Sequence, residues 1–332
     1  MSGNIPAIKK VAIIGATGNI GSSIIRALLA SPNAPTITAI TRATSTATIP
    51  APLLTARIPS ESSDSSDYSH SALVKALTGQ DALVICVGFA VPLDTQKSII
   101  SAAIEAGVSW IVPTEFGSDT DDALLSSAVP LMAGKKGVRA FLEEKSMERG
   151  GKTKWFGVVN NPWTDFSLAA GMFGIDVKER KATLYTDGGE GKYTRFVTTT
   201  LAQAGRGTAG VLLLPSAQLV AYANKLVYLS SFEVTQRELL DSVQRATGTS
   251  DADWSIDSKD VRERTEEGKA KLAGGDHMGM VDLLYSALMT KGIGEGYKGK
   301  ELANEALGLP TEELDVVVKQ VVDGMGLGKG GE

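Results

Sequence analysis

The chain has 332 residues, 43% of them hydrophobic, enough to bury one large core or two medium ones. Its formal net charge is −5, and no basic block or basic stretch interleaved with aromatics occurs, which excludes the electrostatic footprint of a nucleic-acid binder. A single cysteine, Cys86, excludes an intrachain disulfide, and with only His70 and His277 beside it no cluster has zinc-ligand spacing, so no metal is assigned.

In chain order, "VAIIG" (11–15) is the continuous apolar run of a parallel strand covered on both faces. Ile20, Ile24, Ala27 and Leu28 then recur at helical spacing until Ser31-Pro32 stops the helix. "TITAITR" (36–42) is a second strand, and the polar "TARIPSESSDSSDYSHS" (55–71) is a loop around a poorly marked third strand. "SALVKALTG" (71–79), "DALVICVG" (81–88), "TQKSIISAAIEAG" (95–107) and "WIVPTEFG" (110–117) continue the helix-strand alternation, with Cys86 inside a buried strand. Beyond about residue 160 the rhythm loosens, with strand-like "KATLYTD" and "LVYLSS" among helices. Thr235 and Glu238 form a capping box, Val234 and Leu239 a hydrophobic staple, and Gly248 closes that helix. "GMGLGKGGE" reads as a frayed tail.

The expected fold is α/β. A doubly wound parallel sheet of the NAD(P)-binding Rossmann type occupies residues 1–160, and a smaller mixed α/β substrate lobe occupies 161–332, with some segments returning to the sheet. No run reaches the roughly 18 apolar residues of a membrane span, and the first apolar run is too short for a secretory core, so a cytoplasmic location and no membrane partner are expected.

Gly15, Gly18 and Gly21 follow the first strand in a G-x-x-G-x-x-G spacing and open the helix. A pyrophosphate that must approach the main chain requires this composition: glycine permits the tight turn and close contact, and unpaired N–H groups at the helix start face the anion. The spacing differs by one residue from the commonest dinucleotide fingerprint, yet its place between strand and helix selects a dinucleotide site over a merely tight turn. An NAD site usually closes the second strand with a carboxylate for the ribose 2′-hydroxyl; here "AITRATS" carries Arg42, and no carboxylate follows until Glu61. The planar guanidinium suits a 2′-phosphate, so Arg42 points to NADPH/NADP, against the alternative of a solvated surface charge.

These pieces resemble the atypical short-chain dehydrogenase/reductases that include isoflavone reductase, phenylcoumaran benzylic ether reductase and the NmrA-like proteins. The resemblance rests on "GATGNIG", the "TR" closing the second strand, "LTGQDALVICVG", "TQKSIISAAIEAGVSWIVPTEFGSD", "SSFEVTQRELLDSVQRATG" and "NEALGLPTEELD". It implies further cofactor contacts at Thr17, Asn19 and Ile20 in the phosphate turn, Ser45 assisting Arg42, Val87 and Gly88 at the end of the fourth strand, Gln96 opening the next helix, and Asn160 near the nicotinamide. "VVNNPWTDF" departs from relatives at Pro162 and Trp163, and Trp163 either stacks on an aromatic substrate or belongs to the core. None of the seven tyrosines (68, 185, 193, 222, 228, 285, 297) has a lysine four residues on, which disfavours the tyrosine-driven carbonyl reduction of ordinary short-chain dehydrogenases.

The resemblance also implies a lysine four residues before an arginine after the "EFG" segment, supplied by Lys135 and Arg139 in "GKKGVRAFLEE". On a helix, Leu131, Lys135, Val138 and Leu142 share the inward stripe, whereas Lys136 groups with Arg139, Ala140 and Glu143. An ammonium on an apolar stripe either takes part in proton transfer or packs its stem while the head snorkels to water; the family register favours the first, with Lys135 catalytic and beside the cofactor. The expected activity is an NADPH-dependent reduction of a small aromatic metabolite by a monomer or homodimer, of the kind found in secondary metabolism. The competing expectation is a non-catalytic NADP(H)-binding redox sensor of the NmrA type.

Overall fold

The apolar run near the amino terminus becomes an interior strand of a seven-stranded sheet. The computed structural model describes residues 7–60, 68–188, 193–297 and 299–327. The first half runs β1 (Lys10–Ile14), α1 (Asn19–Leu29), β2 (Thr36–Arg42), β3 (Leu54–Ile58), α2 (His70–Leu77), β4 (Ala82–Ile85), α3 (Leu93–Glu105), β5 (Trp110–Val112), α4 (Ala123–Ala128), α5 (Pro130–Glu148) and β6 (Lys154–Val159). The second runs α6 (Thr164–Ala169), β7 (Ile175–Asp176), β8 (Lys181–Thr186), β9 (Phe196–Thr198), α7 (Leu201–Leu212), α8 (Ser216–Leu219), β10 (Lys225–Tyr228), β11 (Phe232–Val234), α9 (Gln236–Thr247), β12 (Ser255–Asp260), α10 (Val261–Ala273), α11 (Gly279–Met289) and α12 (Leu314–Gly324).

The large sheet has the order β3-β2-β1-β4-β5-β6-β10, and every pair in it is parallel. Alternation along β1 explains how it is covered on both faces. Val11 and Ile13 join the core beneath α1 and α7, with Ile20, Ile24, Leu28 and Val211. Ala12 and Ile14 join the opposite core beneath α2, α3 and α5, with Leu73, Leu77, Ile99, Ile100 and Leu142. Strand order reverses between β1 and β4, so their carboxyl ends open the crevice where such sheets bind ligands.

Four features that the sequence marks only loosely are placed by distant partners. The third strand is Leu54–Ile58, just inside the stretch expected to be mostly loop, and Glu61 lies outside the described residues. "LVYLSS" contributes β10, the seventh strand of the large sheet, paired with β6 from Lys225↔Phe156 to Tyr228↔Val159. α7 also returns to this layer, crossing α1 so closely that a Cβ at Gly205 would lie 2.6 Å from the carbonyl carbon of Ser23. The expected tail is ordered through residue 327, because α12 runs to Gly324 and Met325 and Leu327 pack on the second core; residues 328–332 lie outside the described residues.

That second core joins Phe173, Phe196, Leu239, Leu240, Tyr285 and Val318 beneath two small sheets, β7-β8-β12 and β9-β11. Among the described residues no helix is long and apolar enough to cross a membrane.

The start of α9 follows its sequence signature. Thr235 accepts from the Glu238 N–H at 3.2 Å, Glu238 accepts from the Thr235 N–H at 2.8 Å, and Gly248 ends the helix with φ 69°. Thr235→Ala should lower stability by about 1 kcal/mol in urea denaturation. An unchanged midpoint would show that tertiary packing alone holds this helix start.

Candidate functional site

At the end of β1 the chain makes two approaches that only glycine permits. Gly15 has φ 81°, and a Cβ there would lie 2.1 Å from the Cys86 carbonyl oxygen. A Cβ on Gly21 would lie 2.2 Å from the Gly15 carbonyl oxygen. The first glycine brings the turn against the end of β4, and the third lets α1 rest on the turn. Gly18 is the N-cap of α1, makes no side-chain cap bond, and is exposed together with Thr17 and Asn19. The result is a row of main-chain N–H groups at the positive end of a helix. Ile20, expected in the phosphate turn, buries its side chain in the core and can offer a ligand only its main chain.

These residues form one side of a cleft of about 490 Å³, lined by Gly15, Thr17 and Gly18 and closed further on by Arg42, Ser45, Tyr68, Val87 and Gly88. Arg42 is the exposed last residue of β2. Ser45 follows it in a turn in which the Ser45 N–H donates to the Arg42 carbonyl at 3.0 Å. Arg57 of β3 donates to the Ser45 carbonyl at 2.7 Å and braces that turn. Burial pushes the phenol of Tyr68 up, against the opposing pull of Arg42. Neither Arg57 nor Tyr68 was singled out from the sequence: each reaches the site from a segment without a motif.

β4 ends at Ile85, so Val87 and Gly88 belong to the loop beyond it. Gln96 lies in the first turn of α3, buried, with its amide donating to the Val91 carbonyl at 3.4 Å. It supports the cleft loop from behind and is not part of the cleft wall. Cys86 contributes its carbonyl to the glycine turn, while burial pushes its thiol well up, as a packed core thiol requires.

α5 places Lys135 as the inward register demands. The residue is half-buried, its Nζ donates to the Glu115 carbonyl at 2.6 Å, and burial lowers its pKa against the opposing effect of Glu115. Lys136 is exposed, as expected, and pairs with Asp121 at 3.5 Å. Arg139 corrects the helical-wheel grouping: it is 5% exposed and faces inward. Its Nη1 donates to Glu115 Oε1 at 3.1 Å and to Thr120 Oγ1 at 2.7 Å, its Nη2 pairs with Asp121, and its plane lies 5.4 Å from the Trp155 ring. The sequence cue for this network, an acid in "TEFGSDT" facing a Lys-Arg pair one helical turn apart, becomes readable only once β5 and α5 are side by side.

The end of β6 is tied to the same segment, since Asn160 and Asn161 both donate main-chain N–H groups to the Gly117 carbonyl at 3.0 Å. The Asn160 side chain is fully buried, and neither its oxygen nor its nitrogen has a partner among the described residues. A buried amide with both ends unsatisfied costs free energy unless a ligand completes it. Asn161, at φ 51°, borders a recess of about 120 Å³ walled by Leu125, Leu288, Ile293 and Tyr297, with Asp119 and Asp122 at its edge. Trp163 packs against the first core and meets Phe166 edge to face at 5.9 Å. It is not brought to the wall of the recess or of the glycine-lined cleft.

The model of the NmrA-like family matches residues 7–152, a span that contains the glycine turn, Arg42, Glu115 and Lys135. Over those residues the chain is similar to the NmrA-like family. Along almost its whole length the chain is 27% identical over 316 residues to "Oxidoreductase aprR" of Aspergillus flavus, covering 95% of this chain and 99% of that protein. It also shares its fold with the pinoresinol-lariciresinol and phenylcoumaran benzylic ether reductases, at 19% identity and a TM-score of 0.70 over 95% of this chain and 100% of the other. The triphenylmethane reductase of Citrobacter sp., solved with NADP(H), matches at 18% identity and a TM-score of 0.66 over 94% and 99% of the two chains.

Gly15→Ala should destabilise the chain by more than about 1 kcal/mol, since it combines a positive φ with a backbone clash. Denaturant unfolding of the variant checks this, and a wild-type midpoint would mean that the turn can relax away from β4.

Proposed function

We propose that this chain is an NADPH-dependent reductase of the isoflavone reductase and NmrA type, acting on a small aromatic metabolite. The observation that carries the reading is the pairing of a glycine-built anion cradle, ended by Arg42, with a partly buried amine, Lys135, held near the main chain that presents Asn160. The fold likeness to a reductase solved with NADP(H), and the relative named as an oxidoreductase along almost its whole length, support it. The names of the benzylic ether and triphenylmethane reductases support an aromatic substrate.

The residues present fit the dinucleotide. The N–H groups opening α1 would hold its diphosphate, Arg42 with Ser45 its 2′-phosphate, and the unsatisfied amide of Asn160 offers both a donor and an acceptor at the far end. When bound, NADPH supplies a hydride to an electron-poor carbon of the substrate. Lys135 gives the matching proton to the substrate oxygen, or takes it in the reverse direction. Burial makes its ammonium a readier proton donor than an ordinary lysine, against the opposing effect of Glu115. The recess beside Asn161, where Leu125, Leu288, Ile293 and Tyr297 share the lining with Asp119, Asp121, Asp122, Glu295 and Lys300, would take the ring of the substrate. A non-catalytic redox sensor would have no use for a desolvated amine in this position, so the enzyme reading is preferred.

Lys135→Ala should lower kcat by roughly 10² to 10⁴-fold while leaving NADPH affinity nearly intact, measured by 340 nm absorbance with aromatic enones, quinones and benzylic ethers. Wild-type turnover in that variant would remove the lysine from the mechanism. Arg42→Ala should reduce the preference for NADPH over NADH in kcat/KM by roughly 10 to 100-fold, the worth of a charge-assisted contact. An unaltered preference would place the 2′-phosphate elsewhere.

A further inference from the structure

Glu115 is buried, 1% exposed, and the proposed chemistry does not use it. A carboxylate and a guanidinium taken out of water together are costly and seldom add stability over an apolar pair. The fold nevertheless makes deliberate room for them. Gly157, in the middle of β6, gives up its side chain to Glu115: a Cβ there would lie 2.7 Å from Glu115 Cγ. Thr120 completes the pair, donating its hydroxyl to Glu115 Oε2 at 3.0 Å while accepting from Arg139 at 2.7 Å. Glu115 Oε1 thus faces the guanidinium and Oε2 the Thr120 hydroxyl, and these partners together with Lys135 favour the carboxylate against the burial that pushes its pKa up.

The main-chain oxygen of this same residue receives the Lys135 ammonium. We propose that Glu115 is a positioning residue for Lys135: its side chain, locked by Arg139 and Thr120, fixes the carbonyl that aims the amine, and its negative charge offsets the Arg139 charge one helical turn away. This inference rests on the reading of Lys135 as the acid/base group. The other charges on neighbouring elements are engaged apart from the amine. Asp121 is taken by Arg139 and Lys136, Asp122 caps α4 through the Leu125 N–H, and on α3 Asp94 and Lys97 pair with each other at 3.3 Å. Glu115 is therefore the charge that favours the ammonium against burial, and Arg139, paired with Glu115, sets how much of that charge is left to act on it.

The sign follows from the geometry. Removing the carboxylate withdraws stabilisation from the ammonium, so Lys135 should lose its proton at lower pH. Removing the guanidinium withdraws repulsion, so it should lose it at higher pH. Loosening of the pocket would admit water and raise the titration midpoint in both variants, which separates a charge effect from a merely structural one.

The test is competitive acetylation of the intact protein with trace acetic anhydride across a pH series, with the extent of Lys135 modification read by mass spectrometry of its peptide. Glu115→Gln should lower the midpoint by at least about one pH unit, Arg139→Met should raise it, and Arg139→Lys, which keeps the charge, should restore the wild-type value. A Glu115→Gln midpoint that is unchanged or higher overturns the proposal. Should that variant not fold, the arginine pair decides: a rise in Arg139→Met that Arg139→Lys reverses supports the proposal, and equal midpoints in the two overturn it. The labelling requires neither coenzyme nor substrate. Wild-type protein without turnover would thus remove the reductase reading and leave this result standing, whereas active wild type with no shift in Glu115→Gln would remove this inference alone.

Discussion

The contact on which the rest of the molecule depends is the approach of the Gly15 turn to the carbonyl of Cys86. It joins the ends of β1 and β4 at the one place in the sheet where strand order reverses, and through Gly21 it also sets how closely α1 sits on the turn. Were either position to carry a Cβ, α1 would move off and its first N–H groups would no longer face the cleft. The cradle, the reach of Arg42 across it and the level at which the loop after β4 closes it are consequences of this small clearance.

The other end of the site is governed by charge. α5 brings Lys135 and Arg139 to the same face one turn apart, an arrangement that is repulsive by itself. The loop after β5 answers with Glu115, whose carboxylate takes the guanidinium and whose carbonyl takes the ammonium. β6 admits that side chain through Gly157 and then carries Asn160 and Asn161 to the Gly117 carbonyl, so a single loop aligns the amine and the unsatisfied amide. Across the small recess this loop faces the segment carrying Ile293 and Tyr297.

Much of this was legible from sequence because the signals are local. Three glycines between a strand and a helix, an arginine closing the second strand, the Thr235–Glu238 box and the inward register of Lys135 each follow from a few neighbouring residues. What escaped depends on partners far along the chain. Arg139 was grouped with the outward residues because a helical wheel sorts by hydrophobicity, whereas its burial is decided by Glu115, more than twenty residues upstream. β10 joins the large sheet by parallel pairing with β6, about seventy residues away, and nothing in "LVYLSS" encodes that partner. Tyr68 and Arg57 reach the cleft from the flanks of a polar segment without periodicity. Trp163 could be read either way, and the fold places its ring against the first core.

The central claim is that a main-chain cradle at the start of α1 and the guanidinium of Arg42 together select a 2′-phosphorylated dinucleotide. Isothermal titration calorimetry of the wild-type chain with NADPH and with NADH tests it most directly. The account predicts one NADPH bound per chain, at least about tenfold more tightly than NADH, a difference of about 1.4 kcal/mol. Equal affinity for the two coenzymes, or no uptake of either, would contradict it.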